Sequence, residues 1–183
     1  MIRAAGADYF NPDEAARQIL DANPGSTIAE ANSAAWLEGK RLLERAIAEH
    51  GNFAFVTTLG GVTITRLLAS AMDAGSDVHV WYVALNSPEL HIARVRARVS
   101  RGGHDISERE IRRRYDASRH NLIELLPRLA SLRVYDNSKD ADPAEAVTPT
   151  PLLLLHIEYR CESASVPEWA KPILLIAFSN AAR

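Results

Sequence analysis

Cysteine is almost absent from this chain. The single one, Cys161, rules out an intramolecular disulfide and fits a reducing compartment. Its nearest basic neighbour is Arg160, so an inert thiol is expected. Charge of one sign is also missing. The 21 Lys and Arg against 23 Asp and Glu leave a formal net charge of -2, which favours neither a polyanion nor a membrane surface as a partner. Aromatic residues are few, at 7%, and they are not interleaved with the basic ones. A nucleic-acid-binding module is therefore not expected. No stretch approaches the roughly 20 apolar residues that a bilayer span needs. Residues 1–10 show no basic stretch leading into an apolar run, so no signal peptide is expected. These absences point to a cytoplasmic protein.

The composition itself is ordinary. At 183 residues, 47% hydrophobic and 24% charged, the chain fits one domain spanning 1–183 with a real core. Asn11-Pro12-Asp13-Glu14 reads as a helix start, with Asn11 as cap, Pro12 in the first turn and two acids at the positive end of the dipole. That helix should run to about Ala22. Ser26 or Thr27 starts the next, whose apolar residues recur at helical spacing through Ile47. A short strand is predicted over 53–57, a helix over 59–74, a strand over 78–85 and a helix over 88–99. Ser107 and Glu110 have capping-box spacing and open a long helix. Strands at 132–135 and 152–159 and a closing helix over 169–178 complete the pattern. Strands alternating with helices argue for an α/β fold with a mostly parallel sheet covered on both faces. In such sheets ligands bind at the carboxyl ends of strands. Those ends are Thr57-Thr58, Asn86-Ser87 and Asp136-Asn137-Ser138.

Chemistry concentrates between Arg94 and Arg119, where arginines stand at 94, 96, 98, 101, 109, 112, 113, 114 and 119. Arg94 and Arg98 share a helix face, and Arg101-Gly102-Gly103-His104 forms a basic loop before the next helix. Each arginine alone reads as part of a solvated face, with Arg96, Arg109 and Arg112 paired to Glu108, Glu110 and Asp116. The group, clustered about two glycines, reads as a lid over phosphates. A guanidinium binds phosphate oxygens bidentately and keeps its charge, and phosphoryl transfer needs charge stabilised on the moving group. Asp13 either stabilises its helix or orients an acceptor hydroxyl and takes its proton. His104 either donates to a phosphate or fixes the loop. His79, His91, His120 and His156 lack metal-ligand spacing, so no metal site is expected among them.

These residues resemble the zeta-toxin family of P-loop kinases, in the subgroup that reads NPDE, then FAFETTL, then RV--RV--GGH--P---I-RRY. The matching stretches are 11–14, 53–59 and 94–115. They continue through Asn121-Leu122, the 134–138 segment and Pro167-Glu168-Trp169, so the resemblance covers nearly the whole chain. It implies a three-layer P-loop kinase fold and an ATP- and Mg2+-dependent small-molecule kinase. The implied acceptor is a hydroxyl of a nucleotide sugar such as UDP-N-acetylglucosamine, and a small antitoxin protein is an implied partner. On this pattern Asp13 is the general base and residues 94–115 form the lid, with Arg98, Arg101 and Arg114 as its catalytic arginines. Asn11, Thr57, Thr58 and His104 become candidate substrate contacts, and Asn137 a candidate cofactor contact.

The chain departs from that family twice. No GxxxxGK[ST] loop occurs in its 183 residues, so the backbone cradle, the lysine and the magnesium-binding hydroxyl are not supplied. Met1 falls where the family's first helix ends, so the resemblance implies the later four-fifths or so of such a kinase, inactive in this form. The family's first strand sits centrally in the sheet. Without it, unpaired backbone groups at about 1–3 kcal/mol each weigh against a domain stability of about 5–15 kcal/mol, and poor folding is expected unless the gap is filled. Second, the FAFETTL glutamate is Val56 here. A catalytically dead kinase-fold protein, serving as a binding or regulatory partner, is the competing reading.

Overall fold

The structure is a computed structural model that describes residues 8–139, 149–157 and 168–173. Cys161 and most of the expected closing helix lie outside those residues. Packing divides the chain into two compact units, Met1–Thr58 with Val62–Ser76, and Leu59–Gly61 with Asp77–Arg183.

In the first unit, strand β1 (Asp8–Phe10) leads directly into helix α1 (Pro12–Ala22). Asn11 caps that helix from an extended backbone, with its Oδ1 accepting the Asp13 N–H at 3.0 Å. Helix α2 (Ile28–Ala48) opens on Thr27, whose hydroxyl accepts the Glu30 N–H at 3.2 Å while Glu30 Oε2 accepts the Thr27 N–H at 2.8 Å. This reciprocal pair satisfies two donors that a helix start otherwise leaves orphaned. Ala16 of α1 is buried with Ala31 and Ala35 of α2, and Ile19 and Leu20 pack around them. Small side chains on both helices let the backbones approach closely. Mid-helix Gly39 makes room for Phe10, since a Cβ there would lie 2.6 Å from the ring. Strand β2 (Phe53–Phe55) pairs in parallel with β1, Phe10 opposite Phe55, and helix α3 (Val62–Asp73) follows.

Strand β1 is absent from the sequence-based pattern, because three residues carry too little periodicity to register. Helix α3 also starts three residues later than 59. Leu59 has a φ of 51°, a left-handed conformation that a helix cannot contain.

In the second unit, strand β3 (His79–Ala84) pairs in parallel with β4 (Ser131–Asp136), and β5 (Leu152–Ile157) adds to β4 antiparallel with an irregularity between Val134 and Tyr135. An antiparallel edge on a parallel sheet is common. The order is β3-β4-β5. Helix α4 (Pro88–Val99) is capped by Ser87, whose hydroxyl accepts the Leu90 N–H. Helix α5 (Glu108–Leu125) is capped by Ser107, and a 3-10 turn, Leu126–Arg128, follows. Ile111, Leu122, Leu132, Val134, Leu154, Leu155 and Ile173 are the largest fully buried side chains. Each contributes about 1.5–3 kcal/mol relative to exposure.

Two expectations are corrected here. The Ser107 and Glu110 pair makes only half a capping box, because the Glu110 carboxylate bonds Arg113 instead of the Ser107 N–H. Among the described residues, strand β3 is not covered on both faces. Its residues alternate, leaving Trp81 at 52% and Val83 at 54% exposure. Among the described residues it is an edge strand, and the Arg133 guanidinium sits 5.5 Å over the Trp81 ring on the open face. Its other face packs on α5, where Tyr82 Oη and Ser118 Oγ are 2.7 Å apart. Among the described residues no helix is long and apolar enough to cross a membrane.

Candidate functional site

Parallel pairing brings strand exits to one end of each sheet. In the first unit, Phe10 stands opposite Phe55. The Asn11–Asp13 segment and the Val56–Thr58 segment therefore leave from the same edge. The Val56 N–H donates to the Phe10 carbonyl at 3.1 Å, extending the pairing one step past β2. Asp13, Val56, Thr57 and Thr58 are exposed there. The Asn11 carboxamide oxygen is committed to the helix cap. Val56, at 47% exposure, puts an apolar surface at this polar edge.

In the second unit, Ala84 stands opposite Asp136. Hydrogen bonds tie the exits together. The Asn137 N–H donates to the Ala84 carbonyl at 2.9 Å. The Asn86 N–H donates to Ser138 Oγ at 2.8 Å, and that hydroxyl donates to the Asp136 carboxylate. Arg94 of α4 donates to the Asn137 and Lys139 carbonyls. Asn137 thus belongs to a braced turn at the end where ligands bind in parallel sheets.

The arginine segment forms a hairpin. Helices α4 and α5 pack through Ile92, Val95 and Ile111, with Val99 and Ile106 against them. A groove of about 410 Å³ between the helices has these side chains as its floor and the Arg96–Glu108 ion pair at its rim. Arg98 and His104 are brought together, with Arg98 Nη2 donating to the His104 carbonyl at 3.0 Å. It is thus the His104 backbone that helps close the loop, while the ring is exposed. Arg101 is exposed at the tip, beside Gly102 with its φ of 87°. Arg114 lies on the other helix, its Nε 3.4 Å from Glu110 Oε2.

The ion pairs differ from those expected. Arg112 bonds Glu89 at 2.6 Å, Arg113 bonds Glu110 at 2.9 Å and Arg119 bonds Asp116 at 2.8 Å. Of the anticipated set, Arg96 with Glu108 is present. Hydrogen bonds from Arg112 and Arg113 hold the Glu89 and Glu110 carboxyls below the usual glutamate range. Burial first, then the charges of Arg98 and Arg94, pushes His91 down. These exposed pairs add little stability in water. Their effect is to pre-order the hairpin and to partly neutralise it.

Two features escape sequence reading. Leu59 is 5% exposed yet left-handed, a conformation costing on the order of 1–3 kcal/mol for a non-glycine residue. Asn121 of α5, 8% exposed, donates from Nδ2 to the Leu59 carbonyl at 2.7 Å. The only signal is Asn121 itself, a polar residue beside Leu122 on the apolar stripe. Such a residue must find a partner when buried.

The predicted site residues thus fall into two groups. Asn11, Asp13, Thr57 and Thr58 share the exit edge of the first unit, while Arg98, Arg101, His104, Arg114 and Asn137 belong to the second. Among the described residues no group of three or more His, Cys, Asp or Glu is placed to hold a metal ion. No family model and no solved structure matches the chain. An uncharacterized protein of Haemophilus influenzae is 35% identical to it over 106 residues, which are 58% of this chain and 73% of that protein. The chain belongs to the family of that Haemophilus influenzae protein.

Proposed function

We propose that the chain carries the acceptor side and the lid of a zeta-toxin-type kinase. Its substrate would be a nucleotide sugar such as UDP-N-acetylglucosamine, and its compartment the cytoplasm. The observation that carries this reading is the α4–α5 hairpin. It carries Arg98 and Arg114 on a pre-ordered pair of helices and Arg101 on the loop between them, and its first helix is bonded through Arg94 to the segment after β4. Arginines held in this way are suited to gripping phosphate oxygens. Asp13, exposed at a strand exit in the first turn of α1, is suited to orienting an acceptor hydroxyl and taking its proton. Asn11, Thr57 and Thr58, at the same edge, are suited to holding that acceptor.

The chain's own residues do not make a complete site for ATP and Mg2+. The 183 residues hold no GxxxxGK[ST] loop, and the Glu89, Glu108 and Glu110 carboxylates of the hairpin are drawn into ion pairs. Phosphoryl transfer on this reading needs a phosphate-loop segment supplied together with the chain. Strands β2 and β3 each pair on one side only among the described residues, so sheet edges exist on which a further strand could pair. A small antitoxin protein would be the regulatory partner.

The test is a fusion carrying an N-terminal strand, GxxxxGK[ST] loop and helix, incubated with ATP, Mg2+ and UDP-N-acetylglucosamine. Phosphosugar should form, and Asp13→Ala should abolish it with ATP binding retained. Unchanged turnover in Asp13→Ala removes that residue from its role. A second reading, a non-catalytic binder of the same fold, is favoured by the exposed Val56 at the substrate edge. Binding of the nucleotide sugar with no transfer in the fusion would select it.

A further inference from the structure

Leu59 and Gly60 lie against one face of α5, and three contacts hold them there. Asn121 Nδ2 donates to the Leu59 carbonyl at 2.7 Å. Arg113 Nη1 donates to the Gly60 carbonyl at 3.3 Å. The stem of Arg114 rests on Gly60, where an added Cβ would lie 3.0 Å from its Cγ, 3.1 Å from its Cβ and 3.4 Å from its Cα. Arg114 and Asn121 are seven residues apart, two helical turns, and so share a face of α5. One bears on the segment by packing, the other by hydrogen bonding. Both act on a backbone that is bent into a left-handed conformation at Leu59 and is buried.

A strained, buried, non-glycine residue persists only when its surroundings over-determine it. Asn121 supplies that constraint, with its amide desolvated and its donor aimed at one carbonyl. The bend it holds places bare glycine backbone under Arg114. From this we infer that Leu59-Gly60 is the seat of Arg114, and that Asn121 is a positioning residue for that arginine. With the stem seated, the remaining freedom of Arg114 is in its outer torsions. An arriving anion competes with Glu110 for the guanidinium but does not have to relocate the helix face that carries it. Seating a charged group before the ligand arrives is how a site avoids reorganisation during reaction. The use made of Arg114 rests on the phosphoryl-transfer reading, whereas the seat itself rests on geometry alone.

The experiment follows the Arg114 Nε–Hε signal in the 15N-labelled full chain, assigned by its loss in Arg114→Lys. Gly60→Ala and Asn121→Ala should each shift that signal and speed exchange of its proton by about tenfold, as local opening becomes easier. Gly60 has no left-handed φ, so its alanine variant tests crowding against the stem and leaves the fold intact. Leu154→Ala, a core truncation in β5, should lower stability without moving the signal. An unmoved Arg114 signal in Gly60→Ala overturns the seat, as does an equal shift in Leu154→Ala. In the loop-bearing fusion, Asn121→Ala should lower kcat more than it raises KM. The spectroscopic readout needs no phosphate donor, so absence of transfer in every fusion overturns the functional reading alone.

Discussion

Arg94 and Asn137 are joined at the strand exits of the second unit, the guanidinium Nη1 donating to the Asn137 carbonyl at 2.7 Å while Nη2 reaches the Lys139 carbonyl at 3.0 Å. The planar fork of arginine reaches two carbonyls two residues apart, which a single ammonium bonds less well. This contact links α4, which leads into the Arg101–His104 loop, to the segment after β4. Arg94→Ala should therefore cost about 1–2 kcal/mol, the value of charge-assisted hydrogen bonds reduced for partial exposure. Arg94→Lys should recover less than half of that loss. Urea denaturation at constant m-value checks both, and equal stability of the two variants would show that the forked contact is not what matters.

The capping box at Thr27 and Glu30 gives a second prediction. Thr27→Ala removes the acceptor for the Glu30 N–H and should cost about 1 kcal/mol. Hydrogen bonds from the Thr27 backbone, and then from its side chain, hold the Glu30 carboxyl below the usual value of 4.5. The folded carboxyl therefore binds protons more weakly than the unfolded one. Its contribution is present above pH 4.5 and fades as pH falls through the lower folded value. Stability measured from pH 6 to pH 3 should fall less steeply in Glu30→Gln than in the parent chain. Parallel curves would remove Glu30 from the acid transition.

These elements were not equally legible. Helix α1 and helix α4 follow their caps and prolines to the residue, because Asn11-Pro12 and Ser87-Pro88 encode the start locally. Strand β3 was readable as a strand but not as an edge, since VHVWYVAL looks equally apolar on both faces and only the strand order shows which face lies open. The start of α3 was misplaced because the left-handed bend at Leu59 is imposed from α5, 62 residues away through Asn121. Local propensity carries no trace of that. The arginine hairpin was visible as composition, but of its pairing partners only Arg96 with Glu108 was legible. Arg112 reaches Glu89 across to another helix, whereas sequence spacing suggests only neighbours three or four residues apart.

His91 gives a prediction about pH dependence. Burial, then Arg98 and Arg94, lowers its pKa below the ordinary 6.5. The unfolded chain keeps the ordinary value, so it binds the proton first as pH falls. Stability associated with neutral His91 is present above pH 6.5 and is lost as pH falls through the lower folded value. His91→Gln should flatten the stability profile between pH 7.5 and pH 5. In proton NMR the His91 ring should titrate below free histidine, and Arg98→Ala should move its midpoint upward. A midpoint unchanged by Arg98→Ala would leave burial and Arg94 as the causes.

The loop between α4 and α5 depends on Gly103. A Cβ at that position would lie 2.6 Å from Arg98 Cγ, 3.0 Å from the Arg98 carbonyl oxygen and 3.2 Å from Arg98 Cδ. The Gly103 N–H meanwhile donates to that carbonyl at 3.0 Å. Arg98 can fold over the loop and bond the His104 carbonyl only because the glycine has no side chain. Gly103→Ala must therefore break the Arg98 contact or shift the backbone, at a cost of about 1–3 kcal/mol by analogy with overpacking. Hydrogen exchange should localise the effect, with amides of residues 101–106 exchanging faster and those of β4 unchanged. Gly61→Ala, where the added Cβ meets nothing within 4 Å, provides the control. If both glycine variants behave alike, the close approach of Arg98 does not hold the loop. If only Gly103→Ala opens it, the conformation of the arginine hairpin is set by one missing methyl group.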